Sequence, residues 1–234
     1  MNVGVVSDLH GNRIALDAVL ADMPPVDALV CAGDVVGYNP WHADCVAAMR
    51  DGSAVERVVE GQSPTGPEVP TVMGNHDRAV ATDSAFRFNS MAAAGVDHAR
   101  ERLSSEQLDW LAGLPDERTV LDGRVKLVHG HPDDPDHYTY PAEFGPEMLD
   151  DEDVLVMGHT HVQHHEVYEE GIVCNPGSVG QPRDGDPAAA YAVVDLDDLS
   201  VDQYRVEYDI DAVIEAVEDA GLPRKIGTRL LEGR

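Results

Sequence analysis

The stretch VGVVSDLHGN at residues 3–12 sets a β-branched apolar run, Val3 to Val6, directly against a polar cluster of Asp8, His10 and Asn12. The run reads as a buried strand, and the cluster sits where that strand stops. An amphipathic segment follows at 13–22, then a second apolar run, DALVCA (27–32), and another helical pattern near 41–50. This alternation of strand and helix reads as βαβ units on a buried sheet.

Further along, residues 51–70 are rich in Gly, Pro, Ser and Glu, and their second half reads as a surface loop leading into a strand at 70–73. Two helices are expected at 84–103 and 104–114, the second capped by Ser104 or Ser105 and closed near Pro115. From 117 the chain turns to strands: ERTVLDG, RVKLVHG, DVLVMGHTH, HHEVYEEG, IVCNPGS, AAAYAVVDL and VDQYRVEYD, enough for a second sheet. In DIDAVIEAVEDAGLPRK, Val213, Ile214, Val217 and Leu222 recur at helical spacing before the stop signals Gly221 and Pro223. A chain of 234 residues without a linker or internal repeat is expected to form one domain, 1–234.

Acidic residues outnumber basic ones 44 to 16, for a net charge of −28, and Lys126 and Lys225 are the two lysines. Such a surface argues against stable binding of nucleic acid. It resembles the proteome style of salt-loving archaea, where screening removes self-repulsion. The acidic runs HPDDPD, LDDED and DLDDL read as solvated surface. Cys31, Cys45 and Cys174 form no CxxC pair, so neither a disulfide framework nor a structural zinc site is expected, and a reducing cytoplasm fits. The absence of a leader-like start and of any stretch near 20 apolar residues points to a cytoplasmic protein without a membrane span.

Five polar clusters share one context, at or near the end of an apolar run: Asp8 and His10; Asp34 in AGDVVGYNP; Asn75 and His76 in GNHD; His129 in VHGHP; His159 and His161 in GHTH. Strand ends on one side of a sheet converge on a common crevice. If the extended backbone persists, a DxH or HxH pair puts both side chains on one side, so Asp8 with His10, and His159 with His161, can each face one ion. Imidazole and carboxylate donors without thiolate suit Mn, Fe, Co, Ni or Zn, and the set is large enough for two ions.

The ordered motifs DLHGN, GDVVGYNP, GNHD, HGHP and GHTH, closed by NPGSVGQPR (175–183), resemble those of the calcineurin-like metallophosphoesterases, above all their small prokaryotic phosphodiesterase branch. The resemblance covers about residues 2–196. It implies an α/β (α+β) fold, a four-layer αββα sandwich of two packed mixed sheets flanked by helices. It implies two divalent metal ions, manganese foremost, with iron, nickel, cobalt or zinc as alternatives. Asp8, His10, Asp34 and His161 would surround one ion, and Asp34, Asn75, His129 and His159 the other, with Asp34 as the bridge. The implied activity is hydrolysis of phosphodiester, or phosphomonoester, bonds by a hydroxide bridging the ions, with His76 acting on the phosphoryl group or the leaving oxygen.

Asp77 is expected to cap the following helix. Arg78 and Arg183 are the candidate phosphate grips. His131 is expected near the rim, and His42, His98, His137, His164 and His165 at the surface or behind the ligands. Protein Ser/Thr phosphatases read GDxVDRG where this chain has GDVVGYN, so the arginine that grips a phosphomonoester is missing and small diesters are favoured. An alternative is a nucleotide-directed hydrolase acting on cyclic nucleotides or dinucleoside polyphosphates, with Tyr38, Trp41, Tyr138 and Tyr140 as stacking candidates. Another is a non-catalytic metal-binding scaffold for protein contacts, like the retromer subunit of this fold, against which the retention of His76 argues. The last segment, GTRLLEGR, can pack on its own domain or on a partner, and a homodimer is expected.

Overall fold

The computed structural model describes residues 1–59, 68–83 and 88–234. The alternation read from the first 50 residues is present: β1 (Asn2–Val6), α1 (Arg13–Asp22), β2 (Ala28–Cys31) and α2 (His42–Arg50), followed by a short α3 (Val55–Val58). Next come α4 (Asn75–Thr82), α5 (Ser90–Arg102) and α6 (Ser105–Ala112). Ser104 caps α6 by accepting from the Gln107 N–H, while the Gln107 side chain accepts from the Ser104 N–H. Asn89 caps α5, so the expected helix begins later than 84; residues 84–87 lie outside the described residues, as do 60–67 of the expected loop. The second half supplies β3 (Glu117–Val120), β4 (Val125–Val128), β5 (Val154–Val156), β6 (His164–Val167), β7 (Ile172–Asn175), β8 (Ala189–Asp195), β9 (Ser200–Val206), α7 (Ile210–Asp219) and α8 (Lys225–Thr228). Among the described residues, no helix is long and apolar enough to cross a membrane.

The strands form two mixed sheets, ordered β2-β1-β8-β9 and β3-β4-β5-β7-β6. Pairs β1/β2, β4/β5 and β5/β7 are parallel, and the remaining pairs in both sheets are antiparallel. Alternation along β1 explains the layers. Val3 and Val5 share a core with Leu127, Val154, Val156 and Ile172 of the second sheet, whereas Val6 packs with Leu16, Val19 and Val46 of the helices. The outer face of the second sheet, with Val128, Leu155 and Val173, is covered by Met148, Phe144 and Leu149 in and beside short 3-10 turns. The fold is thus the mixed α/β arrangement of two sheets with flanking helices.

At 70–73 the expected strand is reduced to a single bridge between Thr71 and Cys31. Pro70 has no N–H to give, and the Met73 N–H turns away to the Pro115 carbonyl, so the ladder stops after one step. The C-terminal segment packs on its own chain: Val213, Val217, Ile226 and Leu230 share an apolar cluster with Tyr38 and Ala92.

With a net charge of −28, mutual repulsion acts against the folded state wherever it is not screened. Raising KCl from about 0.1 M, where the Debye length is about 10 Å, to about 1 M, where it is about 3 Å, is expected to raise the thermal unfolding midpoint. A calorimetric scan showing no rise would mean that the acidic surface is compensated internally.

Candidate metal centre

The polar clusters do gather at the ends of the strands, but not through extended backbone. Asp8, His10, Asp34, His159 and His161 all have left-handed φ, between 47° and 67°, and make up five of the nine such non-glycine residues among those described. The side chains of the DxH and HxH motifs therefore reach the centre through tight turns, which corrects the reading from strand alternation. Left-handed backbone is costly for Asp and His, and the neighbouring turns hold it in place. The Asp8 N–H donates to the Gly33 carbonyl, the His10 N–H to the Asp34 carbonyl, and the Gly180 N–H to the Asp8 carbonyl.

Three groups of donor atoms lie within 4.8 Å of one another: Asp8, His10 and His161; His10, Asp34 and His76; and Asp34, His129 and His159. All are buried. Asn75 joins the third, its Oδ1 being 3.3 Å from His129 Nε2. His159 and His161 fall into different groups, so the HxH pair does not face one point. Asp34 Oδ2 lies 3.6 Å from His10 Nε2 and 3.4 Å from His129 Nε2, between the two sides.

The donor set fits divalent cations on its own hydrogen bonding. Nδ1 of His10, His129 and His161 lies against the carbonyls of Val36, Ala32 and Gln181 at 3.2, 2.8 and 2.5 Å. Donation of Nδ1–H to these carbonyls leaves the Nε2 lone pairs turned inward. Nε2 of His10 and His161 then face each other at 3.0 Å, an arrangement that a cation between the lone pairs relieves. His159 is held the other way, its Nε2 against the Asp136 carbonyl at 3.3 Å, which frees Nδ1. Asp8 Oδ2 accepts from Ser7 Oγ and the His159 N–H, whereas its buried Oδ1 has no hydrogen-bond donor and faces His161 Nε2 at 3.1 Å.

The electrostatics agree. Burial alone would raise the Asp34 carboxyl, yet His129 and His76 hold it well below the carboxylate range. Asp8 is likewise held low by His161 despite burial. Burial works against a charged His129, but Asp34 overcomes it and pushes the imidazole up to about 10. The potential that draws a proton to His129 also draws a cation, which would displace that proton.

His76 belongs to one of the donor groups, with His10 and Asp34, but its ring is also packed among aromatic side chains. Its ring is stacked on Phe88 at 4.5 Å, with Tyr38 4.8 Å away and His10 4.7 Å away. Its N–H donates to Asp34 Oδ1, and burial lowers the imidazole to about 4, so it is neutral. Asp77 is the N3 residue of α4: one oxygen accepts from the Gly74 N–H and the other from the Val36 N–H, tying the GNHD turn to the GDVV turn.

Gly74 cannot carry a side chain, because a Cβ there would lie 2.0 Å from Asp34 Oδ1 and 2.4 Å from the Asp34 nitrogen. Gly74→Ala is expected to displace Asp34 and reduce metal content and turnover together. Full metal content in that variant, measured by elemental analysis, would show that the turn yields without moving the carboxylate.

The guanidinium of Arg78, a candidate phosphate grip, is engaged by Asp116 and Asp136, each at 2.8 Å. Because the Asp136 carbonyl also holds His159, Arg78 braces the centre from outside. Arg183 is different. It donates to Tyr38 Oη and Gln181 Oε1, at 3.2 and 2.8 Å, and its charge acts on His76 and His161.

His131 is half-buried, belongs to none of the donor groups, and accepts from the Asp133 N–H. Of the histidines expected at the surface or behind the ligands, His42 and His98 are buried, paired through His42 Nε2 and His98 Nδ1 at 3.1 Å. Sequence reasoning missed Phe88 beside His76, and Asn175, which donates to the Gly158 carbonyl and fixes the GHTH turn. The signal for Asn175 was its place at the head of the NPGS motif; Phe88 lies in no motif.

Residues 1–199 match the model of the calcineurin-like phosphoesterase superfamily domain. An uncharacterized protein of Methanocaldococcus jannaschii is 32% identical over 256 residues, covering 99% of this chain and 98% of that protein. Phosphodiesterase YfcE of Escherichia coli K12 is 31% identical over 207 residues, covering 86% of this chain and 91% of YfcE. Among solved structures, a metallophosphoesterase from Sphaerobacter thermophilus superposes with a TM-score of 0.82 at 33% identity, over 100% of this chain and 99% of that one. With the family model spanning most of its length and relatives above 30% identity across it, the protein belongs to the calcineurin-like phosphoesterase superfamily, a family of metal-dependent hydrolases.

Proposed function

We propose that residues 1–234 act as one phosphoesterase domain that uses two divalent ions, manganese foremost, to hydrolyse small phosphodiesters. The observation that carries this is the pair of donor groups, Asp8-His10-His161 and Asp34-His129-His159, with Asp34 between them and the Nε2 lone pairs of His10, His129 and His161 turned inward. Similarity to phosphodiesterase YfcE supports the diester class. When bound, two such cations acidify a water and offset charge on the phosphoryl centre.

The protein's own groups supply the rest. Asp34 presents Oδ2 to both donor groups while Oδ1 is fixed by the His76 N–H. His76, neutral and wedged beside Phe88, offers a ring N–H to a phosphoryl or leaving oxygen. Arg183 stands at the edge of the centre over the Tyr38 ring and supplies the guanidinium for the oxygens of the substrate that the donors do not reach.

A second reading, a nucleotide-directed hydrolase, is favoured by Tyr138. This ring is 44% exposed, lies 3.8 Å from the His159 ring and is stacked with Tyr140, itself 49% exposed. Two near-parallel aromatic faces beside the donors suit a nucleobase.

The test is cleavage of bis(p-nitrophenyl) phosphate beside p-nitrophenyl phosphate in molar KCl with Mn²⁺, before and after chelation. Metal-dependent cleavage favouring the diester is the expected outcome. A monoester preference would return the chain to the phosphatases, and no cleavage with metal bound would favour a binding scaffold.

A further inference from the structure

Two buried histidines have no part in the donor groups or in the chemistry proposed above. His42 begins α2 and His98 lies in α5, with Nε2 of the first 3.1 Å from Nδ1 of the second. Burial, and then His98, lowers His42 to about 3, so its ring is neutral and holds one proton. A third partner fixes where that proton sits. The Gly37 N–H donates to His42 Nδ1 at 3.4 Å, which leaves the proton on Nε2, donated to His98. His98 Nε2 is itself buried with no partner among the described residues. A pair of apolar side chains would fill this space without leaving a nitrogen unpaired, so packing does not account for the histidines; what Nδ1 holds does.

Gly37 has a φ of 135°, a conformation open to glycine, and its α-carbon is set between two rings of the centre. A Cβ there would lie 2.7 Å from His76 Nδ1 and 2.8 Å from His10 Nδ1. The same turn carries Val36, whose carbonyl faces His10 Nδ1 at 3.2 Å and whose N–H donates to Asp77. From the other side α5 closes on it: a Cβ on Gly95 would lie 2.5 Å from the Gly37 carbonyl oxygen, and His98 follows on the same helix face. His42 also backs Gly11, the neighbour of His10, where a Cβ would lie 2.8 Å from His42 Nδ1. The His42 ring thus stands behind both turns that approach His10 and His76.

We propose that His42 is a positioning residue for His76: by holding Gly37 as a spacer between the His10 and His76 rings, it sets the direction in which His76 presents its N–H. His98 fixes the tautomer in which His42 can do so. This rests on the reading in which His76 acts on the substrate of a phosphodiesterase. The role belongs to the hydrogen bond rather than to the bulk of the ring, so substitution can separate the two.

In the metal-free wild type, nitrogen-15 NMR of the imidazoles is expected to show His42 neutral with its proton on Nε2. A proton on Nδ1 would overturn the proposal, because Gly37 would then have no acceptor. This reading is made on the native protein and needs no variant to fold. His42→Phe keeps a ring without the acceptor; with bis(p-nitrophenyl) phosphate and Mn²⁺ in molar KCl it is expected to lower kcat by about tenfold to 10²-fold at unchanged KM and Mn²⁺ content. His42→Asn, whose Oδ1 returns an acceptor to the Gly37 N–H, is expected to recover most of that loss. In a His76→Ala background, His42→Phe is expected to cost nothing further, since one residue acts through the other. An unchanged kcat in His42→Phe, a fall in its Mn²⁺ content, an equal loss in His42→Asn, or the full loss repeated in the His76→Ala background would each overturn the role. Failure of the phosphodiesterase reading would be seen separately, as absence of metal-dependent cleavage by the wild type.

Discussion

Asp34→Asn is expected to lower turnover by on the order of 10³ and to strip metal from the protein, while leaving it folded. Asp34 is buried, and an amide fits the same space and still accepts from the His76 N–H. The lost charge matters more than the shape. Asp34 is the main favourable partner of His129 and the carboxylate that stands 3.6 and 3.4 Å from Nε2 of His10 and His129. In the variant an amide N–H would donate to those lone pairs and occupy the place a cation needs. Elemental analysis beside kinetics checks both parts, and normal turnover with full metal content would refute the shared role given to Asp34.

His76→Ala is expected to behave in the opposite way: both ions retained, turnover lowered by about 10²–10⁴. The imidazole is flanked by Phe88 and Tyr38 rather than enclosed by carboxylates, and its backbone N–H, the part that orders Asp34, survives the substitution. Its Nδ1 is buried without a partner, so truncation leaves no donor stranded. Loss of metal in this variant would place His76 among the ligands, where the closeness of His10, Asp34 and His76 makes it a rival candidate.

The strands, the helix caps and the grouping of polar residues at strand ends were legible because local signals carry them: β-branched runs, Ser104 before Gln107, and Gly beside each cluster. The way the ligands converge was not. Spacing alone suggested that His159 and His161 face one point, but left-handed φ at both turns them apart into separate donor groups. Backbone of that kind is imposed by hydrogen bonds from distant turns, and a sequence pattern of period two does not record it. The ion pairs of Arg78 were hidden for a related reason. Its partners Asp116 and Asp136 lie 38 and 58 residues away, so nothing near it in the chain showed these ion pairs. The Phe88 wall of His76 is equally non-local in origin, arriving from the approach to α5.

Two ions with Asp34 between them are the core of the proposed chemistry. The most direct measurement is equilibrium dialysis against Mn²⁺ in molar KCl, followed by electron paramagnetic resonance of the loaded protein. Two Mn²⁺ per chain with the spectrum of an exchange-coupled pair is the result expected when one carboxylate lies between both donor groups. One ion per chain, or two with the six-line spectrum of isolated Mn²⁺, would contradict it.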